Sequence, residues 1–173
     1  MPIYILLSRV SQQGVQTLQS TPQDQNCQES TAFALLLSGD QAAARTAYES
    51  YARIINPGAL AFTDQVFDAL DGRGDRAKVA ARLAGFGPQS VYDPNSGNTF
   101  GVYVIPTLLV MLGEPQRVVP NLEAFAMKDR SGQTEWAMMM KSLGSEHCDP
   151  AFVDLAKRVK VTDPHYATLC ARR

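Results

Sequence analysis

The stretch LLLSGDQAAARTAY, residues 35–48, holds the end of one helical pattern, a glycine and the start of a second helical pattern. Leu36 closes an apolar face, Gly39 can terminate that helix, and Asp40 can cap the next one. The same order recurs in residues 69–83, 108–122 and 138–155, around Gly74, Gly113 and Gly144. The four glycines are 35, 39 and 31 residues apart. A period near 34 that contains two helices predicts stacked helical hairpins.

Hydrophobic periodicity predicts a row of helices along most of the chain. The first five helices have the ranges 24–38, 40–55, 59–71, 75–86 and 100–112. A sixth begins at Pro115, a seventh contains Trp136, an eighth begins at Pro150 and a short last one begins at Pro164. Pro106 lies inside the fifth range, so that helix either kinks there or begins there. Residues 2–10 are typical of a strand or an extended arm. We therefore expect an all-α repeat domain at residues 23–173, preceded by an N-terminal strand or arm at residues 1–22.

The first hairpin resembles the tetratricopeptide repeat (TPR) family. Ala32 and Ala44 match its small positions, Tyr48 its aromatic position, and Pro57 the proline that closes the repeat. The later hairpins depart from this pattern at Phe67, Val79, Pro106 and Val118. The tail HCDPAFVDLAKRVKV resembles the ending of many bacterial TPR arrays, and residues 1–24 resemble the start of the GYD family. Over residues 24–160 the resemblance implies a TPR-like, antiparallel helix-hairpin solenoid, which is a fold that binds a protein or peptide in its concave groove.

The same resemblance implies which side chains line the groove. They lie on the first helix of each hairpin and are Asn26, Glu29, Phe33, Asp64, Asp68, Asp71, Tyr103, Thr107 and Met138. The three aspartates are separated by four and three residues, so they share one helix face. Our hypothesis is an acidic stripe that selects a partner with a basic segment. The alternative is an ordinary solvated helix face. The loop at residues 87–99 is a second candidate contact site.

Composition restricts the other classes of function. A net charge of −1 gives no electrostatic argument for binding nucleic acid or an anionic membrane. No stretch is long and apolar enough to span a bilayer. Three widely spaced cysteines, an odd number, favour reduced thiols in a cytosolic protein. We therefore expect a cytoplasmic, noncatalytic adaptor that needs no cofactor and no metal, while its oligomeric state stays open.

A second interpretation starts from the cluster His147, Cys148, His165 and Cys170. These residue types are compatible with a zinc site, and Cys148 beside a histidine is a candidate nucleophile. The spacing argues against both roles, because His147 and Cys148 are adjacent and the chain has no CxxC motif. A small metal- or thiol-dependent enzyme is thus the alternative to the adaptor. A regulatory fragment of a larger signalling protein is a third possibility.

Overall fold

The computed structural model describes residues 25–87, 90, 93–127, 137–138 and 141–161. Its α-helices are α1 (Gln25–Leu37), α2 (Gln41–Ile55), α3 (Leu60–Leu70), α4 (Arg76–Ala84), α5 (Val104–Met111), α6 (Val118–Ala126) and α7 (Pro150–Arg158). Short 3-10 helices occupy Pro57–Ala59, Pro115–Arg117 and Lys141–Cys148. These residues contain no strand, so the helical class is confirmed for them. The predicted arm at residues 1–22 and the helix predicted from Pro164 lie outside the described residues.

The described residues divide into two compact units. Unit 1 holds residues 25–67 and 93–99, and unit 2 holds residues 68–87, 90, 100–127, 137–138 and 141–161. Unit 1 is therefore assembled from two separate stretches of sequence. Across both units, no helix in the described part of the chain has the length and hydropathy needed to cross a membrane.

In unit 1, α1 and α2 pack against each other as a helical hairpin. Gly39 adopts φ 85°, and its N–H donates to the carbonyl of Leu36 at 3.1 Å. The N–H of Asp40 donates to the carbonyl of Leu35 at 3.1 Å, which completes the end of α1. The Asp40 side chain then accepts from the N–H of Ala43 at 3.0 Å. A cap of this kind contributes about 1 kcal/mol, and it fixes the start of α2 where the sequence predicts it.

The core of unit 1 is made by α1, α2 and the first part of α3. Its largest fully buried side chains are Phe33, Leu36, Tyr48, Phe62 and Phe67. The rings of Tyr48 and Phe67 meet at 5.9 Å between centroids, tilted by 41°. Aromatic pairs in such tilted contacts stabilise the fold by more than the burial of their apolar area alone. Small residues such as Ala44 and Ala52 are also fully buried, which allows α2 to approach its neighbours closely.

A buried asparagine fixes a loop to unit 1. Asn56 follows α2 and is 1% exposed. Its Nδ2 donates to the carbonyls of Asp93 and Asn98, each at 3.2 Å. Its Oδ1 has no hydrogen-bond partner. Residues 93–99 are irregular, as the Pro, Ser, Gly and Asn content of 87–99 predicts, but Asn56 anchors them to the end of a helix.

In unit 2, α5 is the central helix. The residues from Val104 to Leu109 are all buried, and α5 packs against α4, α6 and the 3-10 helix Lys141–Cys148. A helix that is apolar all round is stable only inside a protein. The sequence VIPTLLVM therefore suits its position, and the helices around it supply Leu83, Leu122 and Phe125 as fully or almost fully buried partners.

Pro106 causes no kink, because α5 begins only two residues earlier. The backbone N–H groups in the first turn of a helix have no intrahelical acceptor, so a proline there loses nothing. The N–H groups of Val104 and Ile105 both donate to the carbonyl of Gly101, at 3.0 and 3.2 Å. Of the two alternatives for this helix, the structure thus shows a start close to the proline. Residues 100–103 precede α5 without forming a strand.

The glycine that turns the chain after α3 is not the one that the repeat spacing predicts. Gly72 adopts φ 78°, whereas Gly74 has no positive φ. A close approach explains why position 74 is a glycine: a Cβ there would lie 3.0 Å from the backbone nitrogen of Ala69. With Gly72 as the turn residue, the glycine spacings become 33 and 41, so this hairpin is less regular than the pattern predicts.

Near its end, unit 2 has a glycine with positive φ and a capped helix start. Gly144 adopts φ 56° and ψ −118°, and it interrupts the 3-10 helix Lys141–Cys148. Asp149 then accepts from the N–H of Ala151 at 2.7 Å, and Pro150 occupies the first turn of α7. Proline is well suited to that position, and the predicted helix start at Pro150 is confirmed.

Candidate interaction surface

The three aspartates of the proposed acidic stripe are on or just after α3. Asp64 and Asp68 are in the helix, and Asp71 follows its last residue. Their side chains are 40%, 40% and 36% exposed. All three are therefore available to solvent, but each already accepts a hydrogen bond from an arginine of its own unit.

In unit 1, Asp64 belongs to a chain of ion pairs on the surface of α2 and α3. The guanidinium of Arg45 contacts Asp64 at 3.1 Å and Glu49 at 2.9 Å. Glu49 also contacts Arg53 at 3.4 Å. Partly exposed ion pairs of this type contribute at most about 1 kcal/mol each. The negative charge of Asp64 is thus largely neutralised within its own unit.

In unit 2, Asp68 and Asp71 share a single arginine. One nitrogen of Arg73 lies 2.9 Å from Asp68 Oδ1 and 2.8 Å from Asp71 Oδ2. The turn brings these groups together, because the N–H of Arg73 donates to the Asp68 carbonyl at 2.8 Å. The Arg73 side chain is 62% exposed. We call this group of two carboxylates and one guanidinium the aspartate turn.

Most of the other predicted groove residues are not accessible at the surface. Glu29, Phe33, Thr107 and Met138 are all buried, and Thr107 Oγ1 is 2.7 Å from the hydroxyl of Ser142. Tyr103 is partly buried, and the side chain of Asn26 lies outside the described part of the chain. The faces that carry these residues are therefore packed in the interior and do not line an open groove. Among the predicted residues, the accessible carboxylates are those of α3 and its turn.

His147 and Cys148 are both engaged in other contacts. Cys148 is in a disulfide bond, so the prediction of reduced thiols is wrong for this residue. Both ring nitrogens of His147 contact backbone carbonyls. His165 and Cys170 lie outside the described residues, and within these no group of three or more potential ligands could hold a metal ion. Disulfides are rare in cytosolic proteins, so the bond removes the argument from which a cytoplasmic location was predicted.

A second carboxylate pair in unit 2 resembles the aspartate turn. Arg158 bonds Glu123 and contacts Asp154 at 3.2 Å. The hydrogen bond that Arg158 donates to the Glu123 carboxylate raises the pKa of Arg158 above its usual value, and the charge of Asp154 acts in the same direction. This group joins α6 to α7. It provides an internal comparison for any function assigned to the aspartate turn, because it also joins two carboxylates to one arginine and is also exposed.

Sequence reasoning missed the buried polar residues that fix the loops. Asn56 anchors residues 93–98, and Asn121 donates to the carbonyl of Ala84 at 3.3 Å. Both asparagines are 1% exposed. An asparagine at a break such as Asn56-Pro57-Gly58 is typical of a turn, and that local explanation conceals a contact with a distant segment. No signal in the sequence itself indicates the pairing.

Comparison with known proteins adds no assignment, because no family model, no curated protein and no solved structure matches the chain.

Proposed function

We propose that the chain is a noncatalytic adaptor that binds a protein or peptide carrying a basic segment. The helix–glycine–helix plan of the α1–α2 hairpin supports this proposal, because TPR-like hairpins usually serve to bind other chains. The aspartate turn is the observation that carries it. Asp68 and Asp71 are held side by side at the surface, where both contact the exposed Arg73 of the same turn.

In this proposal, a lysine or arginine of the partner replaces Arg73. The side chain of Arg73 is 62% exposed, so its ion pairs are screened and cost little to break. A partner cation then meets two carboxylates that are already positioned. Charges of this type act mainly on the rate of association and on the choice of partner. Binding should therefore weaken steeply as ionic strength rises.

The test compares two double charge reversals in the same unit. Three tagged proteins are used to capture partners from a lysate of the source cells: wild type, Asp68→Lys/Asp71→Lys and Glu123→Lys/Asp154→Lys. Quantitative mass spectrometry measures the captured proteins. We expect a partner with a basic segment to be retained by wild type and by the second variant, and to be lost from the first. Loss of two charge contacts of about 1 kcal/mol each weakens binding about tenfold to thirtyfold.

A third variant separates this mechanism from general electrostatics. Arg73→Ala removes the internal competitor and leaves both carboxylates in place, so the captured partner should bind more tightly than to wild type. Circular dichroism establishes that each variant is folded. Equal retention by wild type and Asp68→Lys/Asp71→Lys would reject the aspartate turn as a binding site. Weaker binding to Arg73→Ala would show that the arginine itself contacts the partner.

A further inference from the structure

Arg76, the first residue of α4, joins the start of that helix to the end of α3. Its Nε donates to the carbonyl oxygen of Ala69 at 3.0 Å, and its Nη2 donates to that of Leu70 at 3.3 Å. Ala69 and Leu70 are the last two residues of α3. The last carbonyls of a helix have no intrahelical donor, so an arginine that binds two of them closes the end of the helix. All three residues belong to unit 2.

The segment between the two helices is packed directly on the last turn of α3. The carbonyl oxygen of Asp68 accepts from the N–H groups of Arg73 and Gly74, at 2.8 and 3.1 Å. Position 74 has no room for a side chain, because a Cβ there would lie 3.0 Å from the backbone nitrogen of Ala69. The bonds from the first residue of α4 therefore complete a turn that backbone contacts already hold close to α3.

The carboxylates of the aspartate turn depend on this backbone geometry. Asp68 is on α3 and Asp71 follows the helix, so the separation of their carboxylates depends on how the chain leaves the helix. Both carboxylates contact one nitrogen of Arg73, at 2.9 and 2.8 Å, so they converge on one position. Both acceptors of Arg76 are backbone carbonyls. Arg76 therefore acts on the backbone of the turn and not on the carboxylates themselves.

We infer that Arg76 is a positioning residue, which holds the carboxylates of Asp68 and Asp71 at the separation that one partner cation needs. The inference rests on the proposed function, because it concerns how the same site is formed. Carboxylates that are already in place lose little conformational freedom when a cation binds, so the positioning raises affinity. Arginine suits this role because its planar fork presents its nitrogens in a fixed geometry, whereas a lysine offers one ammonium on a flexible stem.

The charge of Arg76 and its hydrogen bonds have opposite effects on binding. A cation near two carboxylates repels a partner cation, so removal of its charge alone would strengthen binding. Loss of its hydrogen bonds loosens the turn and would weaken binding. Arg76→Lys separates the two effects, because lysine keeps the charge but cannot bind both carbonyls through a rigid fork. Lys78→Arg is the matched control, since it exchanges the same two residue types at an exposed position of the same helix.

Hydrogen exchange of backbone amides, followed by NMR, tests the positioning without a partner. The N–H groups of Arg73 and Gly74 donate to a carbonyl of α3, so their exchange reports opening of the turn. We expect exchange about tenfold faster in Arg76→Lys, because a hydrogen bond from a charged donor is lost, and unchanged in Lys78→Arg. The amide of Leu112, at the end of α5, should be unaffected in both variants. Equal exchange of the turn amides in wild type and Arg76→Lys would overturn the inference, and so would equal acceleration at Leu112, which indicates a general loss of stability.

Binding is then measured by NMR titration with acetylated pentalysine, which serves as a simple basic segment. We expect equal affinity for wild type and Lys78→Arg, and about tenfold weaker binding to Arg76→Lys. Asp68→Asn/Asp71→Asn should remove binding at this site. If wild type does not bind, or if the double variant binds equally well, the proposed function fails, and the exchange measurement still decides whether the turn is held by the arginine. If binding needs the aspartates but Arg76→Lys binds as tightly as wild type, only the positioning role is refuted.

Discussion

Substitution of Asn56 tests whether residues 93–98 are held in unit 1 by a single side chain. Its Nδ2 makes two hydrogen bonds to loop carbonyls, at 3.2 Å each. Each bond between neutral groups contributes about 1 kcal/mol. Asn56→Ala removes both bonds, but it also removes the unpaired Oδ1, which is itself unfavourable. We therefore expect Asn56→Ala to lower the free energy of unfolding by about 1–2 kcal/mol.

Asn56→Asp has the same shape and should be far more damaging. In an ionised carboxylate, the donor Nδ2 is replaced by an acceptor oxygen that faces the two carbonyls, in a position that is 1% exposed. An uncompensated buried charge costs about 3–5 kcal/mol. The deficit should shrink as the pH falls, because a protonated carboxyl regains one O–H donor. The order of stability is thus wild type, Asn56→Ala, Asn56→Asp.

The assay is urea unfolding followed by circular dichroism, at neutral and at acidic pH. Asn95→Ala is the control, because Asn95 lies in the same loop but is exposed, and surface substitutions usually change stability by less than about 0.5 kcal/mol. The reasoning is refuted if Asn56→Ala costs no more than Asn95→Ala. It is also refuted if Asn56→Asp is as stable as Asn56→Ala at neutral pH.

Three further predictions concern unit 2. Gly144→Ala should lower the free energy of unfolding in urea by about 1–2 kcal/mol, because Gly144 has a positive φ. Gly87→Ala is the control: its surroundings are equally open but its φ is not positive, so this substitution should be neutral or slightly stabilising. Equal losses in the two variants would contradict the backbone argument. Cys148→Ser should lower the free energy of unfolding by about 3 kcal/mol if the disulfide partner is Cys170, which is nearer in the sequence, and by about 5 kcal/mol if it is Cys27. Peptide mapping of a non-reduced digest identifies the partner. Glu123→Gln should leave the thermal midpoint unchanged, because its ion pair is exposed; a clear drop would show that the pair stabilises the packing of α6 on α7.

The helices could be predicted because their start and stop signals are local. Asp40 and Asp149 cap the helices that follow them, and Gly39 ends α1, as their positions in the sequence indicate. These signals act within a few residues, so a single sequence contains them. The TPR-like arrangement and the function of the α3 carboxylates stay predictions.

The contacts that could not be predicted are long-range. One error is local, because the repeat spacing selects Gly74 as the turn residue whereas Gly72 has the positive φ. The predicted groove includes Phe33 and Thr107, whose side chains are buried in packing that periodicity alone does not specify. The hydrogen bonds of His147 depend on a carbonyl nine residues away. Such pairs are set by the tertiary structure rather than by residue type or spacing.

The contacts of Asn56 limit how this chain can be cut into fragments. Unit 1 takes residues 93–99 from a position well beyond its first stretch, which ends at Phe67. A truncated protein that stops at Phe67 would contain Asn56 but neither of the carbonyls that accept its hydrogen bonds. Expression of the N-terminal helices alone would therefore yield a protein in which the amide of Asn56 has lost both of these hydrogen bonds. A fragment intended to fold by itself must extend at least through residue 99, or must carry the loop at a new junction.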